Sequence, residues 1–357
     1  MVGNFPVTLD SSAATWCCLA VPFVEYPVDG PFFEQLVRGQ TFTEAPPVRL
    51  TDGMVAVHRS IVGGRSALGL DADLAQAVTG VDAEPAPPAL VWDVAIGQSS
   101  LATHEVIANL FYRDLRFLRM PLVGDTMHTT TTIRSLRQNT PRPGRRPSGL
   151  AVLNIRTVDQ EGRPILDFAR CAMLPLRGED LAVDADDDDD TGDPDPTEPA
   201  LADYVQAVQG WDLGAFRVAR PGRHFEQLEP GERYLLTAGD VVSSAPELAR
   251  LTFNIAAVHH DSSRAAAGRL VYGGHTIGLA LHQAWRCLPN LVTILAWKHC
   301  DHLAPVHEGD LIRTTLEVER LEPWNGGGLV HLRSRAVATS TSGEANVLDW
   351  RLVALMA

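Results

Sequence analysis

The stretch FEQLVRGQTF at residues 33–42 returns in nearly the same form as FEQLEPGERY at residues 225–234. Each copy of FEQL is followed by a glycine, Gly39 or Gly231, and then by an apolar residue that begins a strand-like run. Self-similarity at a fixed separation is typical of a duplicated structural unit. The repeat therefore predicts two copies of one unit in this chain.

Two further matches follow in the same order. FLRMPLVGDTMHTTTTI (117–133) resembles HLAPVHEGDLIRTTLEV (302–318), and PILDFARCAMLPL (164–176) resembles NVLDWRLVALMA (346–357). The two Gly-Asp pairs lie 185 residues apart, close to the 192-residue separation of the FEQL copies. Chance similarity of common turn-and-strand patterns is the alternative explanation, but three landmarks in one order favour duplication.

The order of elements within each half indicates the fold class. A helical stretch around 53–62, or 239–254, precedes an apolar helix at about 89–101, or 274–287. Three or four strands with alternating polar and apolar residues follow in each half. A long helix followed by antiparallel strands predicts an α+β unit in which the sheet wraps the helix, the hot-dog arrangement. Two such tandem domains predict a double hot dog, a pseudo-dimer with one continuous sheet.

These landmarks set the expected domain boundaries. We expect an N-terminal extension over 1–30, a first hot-dog domain over 31–177, a linker over 178–222 and a second hot-dog domain over 223–357. The linker opens with RGEDLAVDADDDDDTGDPDPTEP (177–199). The like charges of this stretch repel one another and it offers no apolar face to bury, so we expect residues 177–199 to be extended or disordered.

The charge of the chain is unevenly distributed. The 357 residues carry a formal net charge of −14, and eleven of the 44 acidic residues lie between Glu179 and Glu198. Without that run the net charge is only about −3, so the acidity says little about partners of the folded part. It argues against nucleic acid as a partner.

Cysteine usage and hydropathy indicate the compartment. The five cysteines form no CxxC pair, and an odd count in a chain of this size favours reduced thiols. The apolar run TWCCLAVPFV (15–24) is too short to span a bilayer and lacks the basic residues that open a signal peptide. We therefore expect a cytoplasmic protein without a membrane partner.

The histidines point to the second half as the reactive one. Three of the twelve lie before residue 177, and nine lie from His224 onward. The densest stretch is LTFNIAAVHHDSSRAAAGRLVYGGHTIGLALHQAW (251–285). It combines polar residues with glycines directly before the apolar helix.

The spacing inside this stretch suits proton transfer beside a carbonyl group. Asn254 and His259 lie five residues apart at the end of a predicted helix, so both can reach one cleft. The run Tyr272-Gly273-Gly274 leads into a helix N-terminus, where backbone N–H groups are unpaired and the dipole favours negative charge. A histidine beside such an oxyanion-binding position is the arrangement that general acid–base chemistry needs.

The same stretch resembles the MaoC-like hydratases and dehydratases. Within that family it is most similar to the double hot-dog mesaconyl-CoA hydratases (β-methylmalyl-CoA dehydratases), which share the Asn-x4-His spacing, the YGGH element and the two-domain length. The resemblance covers about 31–177 and 223–357. FEQL with its glycine, RLVYGGH and the Pro–Gly-Asp strand carry it together, although each is weak alone.

The resemblance implies (R)-type syn addition or removal of water across the α,β double bond of an acyl thioester. It implies that His259 is the base, that Asn254 stands where many relatives have a catalytic Asp, and that the Gly274 N–H holds the thioester oxygen. Contact with the substrate is expected for four neighbours: Tyr272, Gly273, His275 and His260. No metal or redox cofactor is implied. The acyl carrier is coenzyme A or an acyl carrier protein.

The first half departs from the family pattern. Its stretch HRSIVGGRSALGL (58–70) places Gly64 and Gly69 where Asn and His would fall, and WDVAIG (92–97) stands in for the YGGH element. The first half is therefore expected to be catalytically empty, to pair its sheet with the second half and to line the acyl pocket. Arg65 can reach a substrate carboxylate or phosphate, or it is simply a solvated side chain.

Other functions stay open. A hot-dog thioesterase normally uses a Glu or Asp on the central helix, and residues 276–290 contain none. A non-catalytic acyl-thioester-binding protein is possible because Asn254 cannot ionise. The His299-Cys300-x-His302 run looks like a metal site, but strand alternation places His299 on the opposite face from the other two. A homodimer of the double hot dog is possible, but nothing in the sequence requires it.

Overall fold

A computed structural model of the protein describes residues 30–178, 199–264 and 268–357. The predictions for the N-terminal extension and for the acidic run between Glu179 and Glu198 fall on residues outside these ranges. In the described ranges, no helix is both long enough and apolar enough to cross a membrane.

Both halves contain helices followed by four long strands. The first half forms β1 (Thr41–Phe42), β2 (Val48–Arg49), α1 (Asp52–Val62), α2 (Ala72–Thr79), α3 (Pro88–Gln98), β3 (Ala108–Phe117), β4 (Thr126–Gln138), β5 (Ser148–Val158) and β6 (Pro164–Pro175). The remainder forms α4 (Leu201–Val205), α5 (Leu213–Ala219), β7 (Arg233–Leu235), β8 (Asp240–Val241), α6 (Ala245–Leu251), α7 (Gly273–Cys287), β9 (Leu291–His302), β10 (Leu311–Trp324), β11 (Gly327–Ser340) and β12 (Gly343–Met356).

All strands belong to one antiparallel system in the order β1-β4-β5-β6-β3-β9-β12-β11-β10-β7, with β2 on β4 and β8 on β10. The halves join where β3 pairs with β9, so that Tyr112 lies opposite Cys300 and Arg113 opposite His299. The long helices α3 and α7 contact each other and pack on the sheet. This is the α+β double hot-dog fold, and the predicted fold class is confirmed.

The central helix α3 is buried along its whole length because its sequence, PALVWDVAIGQ, is apolar on nearly every side. Trp92 of α3 packs edge-on against Trp297 and Trp350, with ring centroids 4.7 and 6.1 Å apart. These rings come from both halves, so the two domains share one core. Trp285 and Trp297 are core residues as predicted, being 4% and 1% exposed.

The FEQL repeat marks a packing device that each half uses once. The turns Phe33–Gln35 and Phe225–Gln227 are single 3-10 turns. Each phenylalanine ring lies on a strand glycine: a Cβ added at Gly149 would come within 2.4 Å of the Phe33 ring, and one at Gly328 within 2.3 Å of the Phe225 ring. The repeated motif therefore anchors the start of each domain on the third of its four long strands, β5 in the first half and β11 in the second.

The Gly-Asp repeat has an equally local cause. Gly124 and Gly309 have φ values of +105° and +91°, a region that favours glycine. The carboxylates of Asp125 and Asp310 each accept the N–H of the residue three positions earlier at 2.9 Å. Each pair thus closes the turn that starts the second long strand of its half.

The predicted linker over 178–222 is wrong in its C-terminal part. From residue 199 onward the chain forms α4 and α5, whose Tyr204 and Phe216 are 2% and 0% exposed. Asp212 caps α5, and its N–H donates to the carbonyl of Val78 at the end of α2. Apolar residues follow the acidic run, and they give this segment a face to bury against the first half.

The helix boundaries differ more modestly. The helix predicted over 239–254 is only α6, Ala245–Leu251, and the one predicted over 89–101 ends at Gln98 and continues as a 3-10 turn. The remaining helix of the first half, α2, was not predicted. The three described cysteines, Cys171, Cys287 and Cys300, are free thiols.

Candidate active site

A cavity of about 440 Å³ lies between the two halves. Residues from both halves line it, among them Asn254, His259, Tyr272 and the Gly273 backbone from the second half, and Thr103, Tyr112 and Arg170 from the first. Among the residues that the structure describes, no Asp or Glu lines it. The cavity is of a size that holds a small organic group rather than an ion.

His259 ends the short turn Ala257–His259 and is held by one backbone contact. Its Nδ1 lies 2.9 Å from the carbonyl oxygen of Leu270. Because a carbonyl only accepts, Nδ1 carries the proton and donates, which leaves Nε2 unprotonated. Burial lowers the pKa of His259 to about 4 against the opposing effect of the Leu270 contact. The imidazole is therefore neutral near pH 7 and able to accept a proton.

Asn254 follows α6 by three residues and is 3% exposed. Its Oδ1 accepts the N–H of Ala256 at 3.0 Å, which fixes the orientation of the amide. The Nδ2 group is therefore the end that can act toward the cavity, and it can only donate. Asn254 is placed to bind an oxygen atom, such as that of a water molecule.

Tyr272 and Gly273 enter the cavity wall at the N-terminus of α7. The Tyr272 hydroxyl donates to the backbone carbonyl of Asp93 at 3.2 Å, and burial raises its pKa well above the ordinary value. The first N–H groups of a helix have no partner within it. The wall at Gly273 therefore offers a site for partial negative charge.

Three predicted site residues do not line the cavity, which corrects the sequence interpretation. His260 donates from Nε2 to the backbone carbonyl of Asn254 at 2.6 Å and so supports the turn instead. Gly274 packs on the first half, where an added Cβ would lie 2.0 Å from Oδ1 of Asp93. His275 is fully buried with neither ring nitrogen hydrogen-bonded, and burial, followed by the proximity of the His58 imidazole, lowers its pKa to about 4.

A buried pair of hydrogen-bonded side chains, His58 and Asp93, lies beneath this wall, and the sequence analysis missed it. Nε2 of His58 is 2.9 Å from Oδ2 of Asp93, and both side chains are almost fully buried. Burial raises the pKa of Asp93 and the contact with His58 opposes that shift. An aspartate in the middle of the apolar helix α3 was the available signal.

Arg170 was also missed. It lies on β6, is 4% exposed and lines the cavity. One guanidinium nitrogen donates to the Thr103 hydroxyl, while the buried Nε–H has no acceptor. Tyr112 lies opposite it on β3. Burial lowers the pKa of Arg170, and the Tyr112 and Tyr272 hydroxyls oppose this.

His302 completes the wall near His259. Its Nε2 is buried without a hydrogen bond, and burial, followed by the influence of His259, lowers its pKa to about 4. Within the described parts of the chain, no three His, Cys, Asp or Glu side chains are grouped closely enough to hold a metal ion. The expectation that no metal or cofactor is needed stays a prediction.

The internal symmetry identifies the counterpart of this site in the first half. Gln98 on α3 donates to the Met127 carbonyl and accepts from Thr129 at 2.6 Å. Gln283 on α7 donates to the Ile312 carbonyl and accepts from Thr314 at 2.8 Å. The two glutamines lie 185 residues apart, the same separation as the Gly-Asp pairs. The helices are thereby aligned residue by residue.

This alignment of the long helices corrects one sequence interpretation, and the order of the short turns before them agrees with another. Residues 87–89, Pro-Pro-Ala, rather than WDVAIG, occupy the position of Tyr-Gly-Gly. Gly69 ends a turn, Ala67–Gly69, that corresponds in chain order to the turn ending at His259. Between Gly69 and Pro87 a cavity of only about 30 Å³ remains, with Trp285 in its wall. The symmetry-related site is closed.

Comparison with known proteins agrees with this architecture. No protein-family model matches the chain. A solved structure from Mycobacterium tuberculosis is 50% identical to this chain, and the match covers 92% of this chain and 99% of that one with a TM-score of 0.85. That protein is described as a conserved hypothetical protein that is essential for bacterial survival during infection and has a double hot-dog fold. A putative MaoC domain protein dehydratase from Chloroflexus aurantiacus is 26% identical over 92% of this chain and 97% of its own, with a TM-score of 0.76. The mesaconyl-CoA hydratase of Cereibacter sphaeroides is 28% identical over 320 residues, which are 87% of this chain and 89% of that protein.

Proposed function

We propose that this chain, which belongs to the MaoC-like double hot-dog hydratases and dehydratases, adds water to, or removes it from, the α,β double bond of an acyl thioester. The observation that supports this most directly is the state of His259. It is buried, neutral and oriented by the Leu270 carbonyl so that Nε2 can accept a proton. It shares the cavity with Asn254, which can hold a water molecule.

In the hydration direction the reaction begins with a water molecule between these two side chains. Nδ2 of Asn254 donates to the water oxygen, and Nε2 of His259 removes a proton as the oxygen bonds to the β-carbon. The electron pair of the double bond moves toward the thioester carbonyl, whose oxygen gains negative charge. The N–H groups at the start of α7, next to Gly273, are suited to stabilise that charge.

The proton on His259 then passes to the α-carbon. Asn254 cannot ionise, and no carboxylate of the described residues lines the cavity. A single imidazole therefore handles both proton transfers, and one base acts on one face of the substrate. Such a mechanism gives syn addition, and dehydration is the same path reversed.

The substrate is an acyl group carried by coenzyme A or by the phosphopantetheine arm of a carrier protein, and no metal or redox cofactor takes part. The similarity to a mesaconyl-CoA hydratase makes a mesaconyl-like acyl group a reasonable candidate. We place the reaction in the cytoplasm and keep a homodimer as a possible assembly. The closed symmetry-related site supports assigning catalysis to the second half.

The absence of a lining carboxylate among the described residues disfavours thioester hydrolysis by a Glu or Asp on α7, the other reaction of hot-dog sites that we considered. The remaining alternative is a protein that binds acyl thioesters without reaction. The three functions give different products, so one assay separates them.

The test follows crotonyl-CoA and mesaconyl-CoA by loss of the enoyl absorbance, with a thiol reagent in parallel. The wild-type protein should consume the enoyl group without releasing thiol. His259→Ala should lower the rate by about 100-fold or more, as the loss of a general base does. His128→Ala removes an exposed histidine on β4 and serves as the matched control, which should keep the wild-type rate.

Thiol release by the wild-type protein would replace this proposal with a thioesterase. Tight binding of acyl-CoA with neither enoyl loss nor thiol release would indicate a binding protein. Equal loss of activity in the His259 and His128 variants would remove the assignment of His259 as the base.

A further inference from the structure

Arg170 carries a buried positive charge for which the described part of the chain provides no counter-ion. Its side chain is 4% exposed, contacts the Thr103 hydroxyl, and has a buried Nε–H without an acceptor. It forms no ion pair with any described Asp or Glu. An unpaired buried charge is strongly destabilising, and proteins rarely retain one without a use for it.

The second half of the duplicated fold shows which residue can replace Arg170 at the corresponding position of the sheet. Leu166-Asp167-Phe168 of β6 matches Leu348-Asp349-Trp350 of β12, which aligns Arg170 with Leu352. Arg170 lies opposite Leu153 and Tyr112 on its neighbouring strands.

Leu352 lies opposite Leu332 and Trp297 in the same way. The position in the second half is thus an ordinary core leucine, 1% exposed. The fold does not need an arginine at this place in the sheet.

The other polar residues on the same wall follow the same rule. Each has a large apolar residue as its counterpart at a separation of 185 positions: Ser100 and Trp285, Thr103 and Leu288, Tyr112 and Trp297. The polar character is therefore confined to the open cavity. Two of these residues lie beside Arg170: the Thr103 hydroxyl contacts its guanidinium, and Tyr112 lies opposite it on β3.

We propose that Arg170 is a specificity-determining residue of this cavity: its guanidinium binds a carboxylate on the acyl chain, such as the one that the mesaconyl-like group of the proposed function carries. This rests on the proposed function only in that the cavity takes acyl thioesters. The guanidinium and the Thr103 and Tyr112 hydroxyls form the carboxylate end of the pocket. His259 and the α7 N-terminus form the reacting end.

Two other anions fit the arrangement less well. The thioester oxygen is neutral in the bound substrate and gains charge only during reaction, so it does not compensate a permanent buried cation. The phosphates of coenzyme A belong to a nucleotide much larger than this 440 Å³ cavity. Only the acyl end of the substrate reaches a residue as deep as Arg170.

The test compares succinyl-CoA with butyryl-CoA by calorimetric titration. The two acyl chains have the same length and differ by a terminal carboxylate in place of a methyl group. Both are saturated, so the result does not depend on hydratase activity. Wild-type protein should bind succinyl-CoA about 10- to 100-fold more tightly, the usual value of a hydrogen-bonded charge pair.

Arg170→Leu introduces the residue that the second half carries at this position. It should abolish the preference and leave butyryl-CoA binding intact. Arg145→Leu removes an exposed arginine in the turn between β4 and β5, outside the cavity, and should keep the preference. If Arg170→Leu does not fold, as judged by thermal unfolding, Arg170→Lys should retain only part of the preference.

Absence of a preference in the wild-type protein would overturn the proposal, and so would failure to bind either ester. Equal weakening of succinyl-CoA and butyryl-CoA binding in the Arg170 variants would also overturn it. Kinetics then distinguish a role of Arg170 at the acyl carboxylate from a role at the thioester oxygen. In the second case, the Arg170 variants would lower the rate with crotonyl-CoA as much as the rate with mesaconyl-CoA. A binding preference without any hydration would sink the hydratase proposal and leave the carboxylate site standing.

Discussion

The two residues that we assign to catalysis are each oriented by a single backbone group. Leu270 fixes one end of His259, and Ala256 fixes one end of Asn254. In both side chains the opposite end is left for the substrate or a water molecule. A base whose tautomer is set by a carbonyl needs no carboxylate behind it. This explains how the site works without an acidic residue in the described cavity wall.

Burial of His259 leads to a prediction about pH. The base is active when neutral, and a pKa of about 4 keeps it neutral well below pH 6.5. We expect kcat/KM for crotonyl-CoA to stay nearly constant from pH 7.5 down to pH 5.5. A histidine with the ordinary pKa would lose roughly tenfold over that interval. Activity falls only as the pH approaches the folded pKa from above.

The measurement is a pH–rate profile with each sample returned to pH 7.5 afterwards. Full recovery shows that acid has not inactivated the protein. A reversible midpoint near pH 6.5 would contradict the assigned environment of His259. It would indicate that the imidazole is solvated.

Sequence spacing found part of the site because the relevant residues lie close together in the chain. Asn254, His259, Tyr272 and Gly273 all line the cavity. The prediction failed for Gly274 and His275, which follow Gly273, because successive helical residues point about 100° apart. Gly273 therefore faces the cavity, whereas Gly274 faces the first half. Arg170 comes from a distant strand, and no local pattern could place it beside His259.

At the scale of elements, the sequence repeats predicted the fold because each repeat has a local structural cause. The FEQL motif forms a turn that sets a phenylalanine on a glycine, and the Gly-Asp motif closes the turn before a long strand. Such motifs need only neighbouring residues and one partner. The helix α5 was missed because its burial depends on α2, which lies far away in the sequence.

The phenylalanine–glycine contact can be tested directly. Gly149→Ala places a methyl group within 2.4 Å of the Phe33 ring, so the ring or the strand must move. We expect a loss of about 1–3 kcal/mol in the free energy of unfolding, as for other overpacked sites. Urea denaturation gives this value.

Two variants control the interpretation. Gly53→Ala lies on the exposed first turn of α1, where the nearest atom is 3.8 Å away, and should be neutral or stabilising. Phe33→Leu combined with Gly149→Ala should cost less than the two single changes added together, because the shorter side chain relieves the clash. Additive losses would show that the contact does not limit the packing.

At the scale of the whole molecule, the duplicated domains have divided their roles. The second half provides the histidine, the asparagine and the helix N-terminus. The first half provides the polar wall that holds Arg170, so it is not only a lining for the acyl chain as the sequence suggested. The symmetry-related site has instead lost its polar residues and closed: glycines replace the reactive residues, and Trp285 occupies the position that corresponds to Ser100. Two similar domains thus form one asymmetric site.

This asymmetry predicts one binding site per chain. The open cavity measures about 440 Å³ and its counterpart about 30 Å³, roughly the space of one water molecule. Calorimetric titration with succinyl-CoA, with the protein concentration taken from a quantitative amino-acid analysis, should give a stoichiometry of one ligand per chain. A value of two would mean that the Trp285 side opens on binding, and the division of roles between the halves would then be wrong. A value of one-half would mean that two chains share a site. The cavity argues against that result because both of its walls come from the two halves of a single chain.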